Sequence, residues 1–161
     1  MRQYPLIGTL DIAAFNVDPK TVPSTLKTID DLIDPNYFHK IPEQVIAYGF
    51  FDVTDLGKSA KIRTYLAMTG IETNYELILK APRRASKEPD LAYFKNYTLL
   101  LKDTLTRGMS GSPLFGKFII NNKPQYRFLG INYANIAGIN KGLCLKASRV
   151  IGYIHFRYSK R

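Results

Sequence analysis

Short runs rich in Val, Ile, Leu, Tyr and Phe recur along the chain, separated by clusters of Gly, Pro, Asn and Asp. Apolar runs of this length, bounded by turn-forming residues, predict strands near residues 6–17, 44–51, 61–68, 75–80, 98–101, 113–120, 126–133 and 142–145. A series of short, evenly spaced strands suits a barrel or a sandwich. Two segments follow the helical period instead. In residues 24–33 a Ser24 N-cap precedes Leu26, Ile29 and Ile33 on one face. Residues 147–156 predict a closing helix, with Arg157, Lys160 and Arg161 beyond its end, where the helix dipole favours cations. The stretch from Pro19 to Pro42, which also holds Pro23 and Pro35, reads as a linker. It divides the chain into a first unit, residues 1–41, and a second, residues 42–161.

Composition narrows the class. A chain of 161 residues that is 45% hydrophobic can bury a core of ordinary size, so disordered, collagenous and disulfide-scaffold architectures are excluded. The formal charge of +10 favours anionic partners without naming one. A lone Cys144 permits no internal disulfide, and no run of residues is long and apolar enough for a membrane span. The first residues lack the pattern of a signal peptide, which together with the single cysteine leans toward a cytoplasmic setting. No phosphate loop, dinucleotide fingerprint or metal-ligand spacing occurs, so neither cofactor nor metal is expected. Cys144, between Leu143 and Leu145, reads as a small core residue.

The segment that points to chemistry is Gly108-Met109-Ser110-Gly111-Ser112-Pro113. A nucleophilic serine needs its Oγ exposed on a tight turn and backbone N–H groups aimed at a developing oxyanion, and flanking glycines allow both. Upstream, Leu10-Asp11-Ile12-Ala13-Ala14 sets a carboxylate inside an apolar run, where it calls for a partner. Together these segments resemble the chymotrypsin (trypsin-like) serine peptidases, in which Gly-x-Ser-Gly-x-Pro carries the nucleophile. Asp11 and Ser110 stand 99 positions apart, against about 93 in that family's template.

The resemblance implies a mostly β double barrel: an incomplete N-terminal barrel with its linker over residues 1–41, then a complete C-terminal barrel with a terminal helix over 42–161. It implies a peptide or protein substrate, Ser110 as nucleophile, Asp11 as the residue that orients a histidine, and the Gly108 and Ser110 amides as the oxyanion hole. It places Tyr133, Ala134 and Asn135 along the wall of the specificity pocket and Thr104 at its base, where an uncharged residue disfavours a strong preference for Lys or Arg. The family's histidine precedes the aspartate by about 45 positions, and only ten residues precede Asp11. The expected base therefore comes from an upstream segment or a second chain. His39, in the linker, and His155, in the closing helix, read as a loop and a helix-end imidazole.

Two other function classes compete with the peptidase. A protease-like fold that lacks its base can serve as a binding module for peptide or protein. A basic β-barrel can bind nucleic acid, and Lys80-Ala81-Pro82-Arg83-Arg84-Ala85-Ser86-Lys87 supplies a local cluster of cations. The aromatics, however, lie in strand runs and are not interleaved with those cations, so nucleic acid is not the expected partner.

Overall fold

The structure is a computed structural model that describes residue 20 and residues 31–55, 58–68, 70–82 and 88–158, with side chains left out of the description at 50–68 and at 157–158. The expected strand at 6–17, most of the expected helix at 24–33, and Asp11 lie outside the described residues. Seven strands follow: β1 Gln44–Asp55, β2 Lys58–Met68, β3 Ile71–Glu72, β4 Thr98–Leu101, β5 Pro113–Ile120, β6 Lys123–Ile136 and β7 Lys141–Lys146. Two α-helices accompany them, α1 Leu91–Tyr97 and α2 Ala147–Tyr158. The protein is mostly β, as its hydrophobic pattern predicts.

Among the described residues, all seven strands join one antiparallel sheet in the order β2-β1-β5-β6-β7-β4-β3. The chain itself dictates how that sheet bends. Its two edge strands, β2 and β3, are consecutive, and the three peptide links from Met68 to Ile71 span at most about 11 Å. One end of each edge strand is thus drawn toward the other, and the sheet curls into a half-barrel. The complete barrel expected for residues 42–161 is not closed among the described residues, because no ladder joins β2 to β3.

The concave side holds the main core, where Val45 and Ala47 of β1, Leu101 of β4, Leu114 and Phe118 of β5, Leu129 and Cys144 meet. In β5 buried and partly exposed positions alternate from Pro113 to Phe118, the period-2 signature of a strand with one face inward. In β7 the four central residues are all buried, because helices cover its convex face as well. There α2 lays Ala147 and Val150 on Phe128 and Leu145. Asn121 and Asn122, both left-handed (φ 52° and 59°), form the two-residue turn between β5 and β6, the arrangement that matches strand twist.

One predicted strand is corrected. Residues Tyr75–Lys80 form a 3-10 helix, capped by the Asn74 side chain accepting from the Glu76 N–H. Tyr75 and Ile78, three apart, face the same cluster as Leu100 and Leu143, so a period of three prevails over the strand-like composition. The Tyr75 hydroxyl donates to the Thr98 carbonyl at 2.7 Å and accepts from the Leu100 N–H at 3.3 Å. Tyr75→Phe strips both buried backbone groups of that partner at once. It is expected to cost about 1–3 kcal/mol, measured as a shift in the urea midpoint with no change in slope.

Candidate active site

Ser110 sits at the tip of the connection between β4 and β5. Gly108 (φ 93°) and Gly111 (φ 83°) flank it in left-handed conformations that a side chain would disfavour. The turn is held on three sides. Met109 N–H donates to Thr106 O at 3.1 Å and Ser112 N–H to Met109 O at 3.0 Å, while Gly111 N–H reaches across to Asn132 O at 2.7 Å. Met109 points inward and is completely buried in the concave core. The residue between Gly108 and Ser110 is therefore an apolar anchor, and the tip it carries is exposed.

Asn132 is the main polar support of the turn. Fully buried in β6, it donates its backbone N–H to Ser112 O at 2.9 Å and its Nδ2 to Ser112 Oγ at 2.9 Å. Its Oδ1 has no partner among the described residues. Sequence reading gave Asn132 no role; the available signal was one amide inside the apolar run from Phe128 to Tyr133.

Just beyond Asn132 the β6–β7 ladder shifts register: Asn132 faces Cys144 and Ala134 faces Leu143, with Tyr133 as the extra residue. Bulges turn backbone groups out of a ladder and are enriched beside active sites. Here the Tyr133 carbonyl accepts a hydrogen bond from Ser110 Oγ at 3.1 Å. The Gly108 and Ser110 N–H groups, the pair expected to form an oxyanion hole, donate to no acceptor among the described residues.

The four residues expected at the specificity pocket are brought together in part. Asn135 clamps the segment leading to the turn, accepting from Leu105 N–H and donating to Leu105 O, each at 2.7 Å. This sets Asn135 beside Thr104, which is exposed. The side chains of Tyr133 and Ala134 instead pack into the convex layer with Leu143 and its neighbours. Burial pushes the Tyr133 phenol well above its ordinary pKa, and the nearby Tyr93, Cys144 and Tyr75 add to the shift. Of Tyr133, the backbone carbonyl is what reaches Ser110.

Beside Ser110 lies a hollow of about 400 Å³ formed by Tyr48, Gly49, Gly108, Ser110, Gly111 and Pro113, together with Ser112. Sequence reading missed Tyr48 and Gly49. The signal for Gly49 was a glycine inside a strand, which marks a close backbone approach. A Cβ there would stand 2.7 Å from Ser112 Cβ and 3.3 Å from Met109 Sδ. Neither His39 nor His155 lines this hollow. His39 is exposed in the segment before β1, and His155 is exposed on α2.

The remaining sequence expectations involve groups elsewhere. Burial raises the pKa of the Cys144 thiol and leaves it protonated inside the core. Among the described residues no three His, Cys, Asp or Glu side chains gather in a way that could hold a metal ion. No helix among them is long and apolar enough to cross a membrane. No family model, curated protein or solved structure matches the chain.

Proposed function

We propose that this chain carries the nucleophile of a chymotrypsin-like serine endopeptidase and belongs to a double-barrel fold of which residues 42–161 supply the second barrel. The observation behind this reading is the turn at Ser110: an exposed hydroxyl between two left-handed glycines, beside two amides with no acceptor among the described residues. In the proposed reaction Ser110 Oγ attacks the scissile carbonyl as its proton passes to an imidazole from outside these residues, oriented by Asp11. The oxyanion is held by the Gly108 and Ser110 N–H groups. The C–N bond then breaks, the imidazole returns the proton to the leaving amine, and water hydrolyses the acyl-enzyme.

A second reading, a protease-like module that binds peptide or protein without cleaving it, is favoured by one observation. The Ser110 hydroxyl donates to a carbonyl, and neither His39 nor His155 lines its hollow. A fluorophosphonate reacts only with an activated serine, so the native protein isolated from its source separates the two readings. Under the peptidase reading it acquires one adduct, mapping to the peptide that contains Ser110 and absent from Ser110→Ala. Native protein that stays unlabelled and still binds peptide establishes the module instead.

A further inference from the structure

A second hollow, of about 430 Å³, lies away from Ser110, between the segment before β1 and the start of α2. Its composition is lopsided. Phe38, Ile41, Ile71, Leu99 and Leu129 contribute apolar wall. Lys40, Lys146 and Arg149 contribute three cations, His39 stands beside them, and among the described residues no carboxylate lines the space.

Each cation is held in place by a group that leaves its charge uncancelled. Lys40 Nζ stands 4.3 Å over the Tyr37 ring. The Arg149 guanidinium stacks 4.3 Å from the Tyr97 ring centre and donates its Nε–H to Asn96 O at 3.2 Å. Lys146 Nζ donates to the Lys95 carbonyl. Ring faces and carbonyls orient a cation without neutralising it, and fixed donors bind with less loss of side-chain freedom. The lysine shows the strain of this arrangement: desolvation, and then repulsion from Arg149, lowers the Lys146 pKa. Ala147, Ser148 and Arg149, the first turn of the twelve-residue α2, also line the space, and first-turn amides have no acceptor within their own helix.

We infer that this hollow binds an amphipathic organic anion, a carboxylate or phosphate head between Lys146 and Arg149 with an apolar body along Ile71, Leu99 and Leu129. Bare inorganic anions leave the apolar wall wet, and neutral amphiphiles leave two adjacent cations unpaired, so both halves of the ligand are needed. The inference stands apart from the chemistry of Ser110, whose hollow shares no lining residue with this one among the described residues.

Calorimetric titration of the full chain with octanoate, octyl phosphate, octanol and inorganic phosphate tests it. One or both of the first two should bind saturably, at least about tenfold more tightly than octanol or inorganic phosphate, and the tighter of the two names the head group. Lys146→Gln and Arg149→Gln should each weaken that binding about tenfold. Lys40→Gln, in an exposed segment, provides a third variant that does not depend on the contacts between α2 and the sheet. Ser110→Ala should bind as the parent does. Octanol binding as tightly as octanoate and octyl phosphate would show that the cations play no part, and inorganic phosphate doing so would show the same of the apolar wall. Either result, or no saturable binding by either amphipathic anion, overturns the inference.

Discussion

Gly130→Ala should destabilise the protein by more than about 3 kcal/mol, lowering its melting temperature by at least about 6 °C. Gly130 lies in the middle of β6 with φ 152°, a conformation that side chains rarely adopt. It also faces the crowded side of β7. A Cβ at this position would fall 1.9 Å from the Leu145 carbonyl oxygen and 2.8 Å from Cys144 Sγ. A flexible side chain could swing aside, but the Leu145 backbone is fixed by its pairing with Ile131 on one side and Thr98 on the other. Relief therefore requires breaking the ladder that also positions Asn132 and the Tyr133 bulge. Thermal unfolding of the variant is the check. A melting temperature within about 2 °C of the parent would mean that β6 and β7 do not approach as described.

The parts of the fold that were legible in the sequence share a local cause. β4 and β5 match their expected limits, residues 98–101 and 113–120, because one is a run of three leucines behind Thr98 and the other starts at a proline and ends at two asparagines. The start of α2 at Ala147 was legible from its helical period. What was not legible depends on contacts distant in sequence. Tyr75–Lys80 has the composition of a strand, and only the cluster with Leu100 and Leu143 selects a 3-10 helix. Seven-residue α1 went unread although Asp90 caps it and Leu91 and Phe94 share a face. β3, two residues long, is too short to carry a period at all.

The candidate site divides in the same way. The glycines around Ser110 were visible as a motif, since left-handed turn positions select glycine whatever surrounds them. Asn132 and the Tyr133 carbonyl, which fix where that turn sits, were not, because their roles arise from a strand paired across the sheet. The structure also sets the two serines of the motif apart. Ser112 is buried, its Oγ accepting from Asn132 Nδ2. Ser110 is exposed, with its Oγ donating to the Tyr133 carbonyl.

That difference makes the second large prediction specific. On the proposed peptidase reading, Ser110→Ala in native protein should lower peptide hydrolysis at least about a thousandfold, because removing the nucleophile would abolish the covalent route and leave only what binding and the amides contribute. The same change should shift stability by no more than about 0.5 kcal/mol, as expected for an exposed side chain with one hydrogen bond to a carbonyl. Ser112→Ala should show the reverse order of effects. It removes the partner of a buried amide in a residue whose Oδ1 already lacks one among the described residues, at a cost of about 1–3 kcal/mol, while Ser110 keeps its hydroxyl. Hydrolysis rates and melting curves for the two variants, measured side by side, separate a group that reacts from one that holds the turn. Parental turnover by Ser110→Ala would remove the serine from the chemistry, and with it the case for a peptidase.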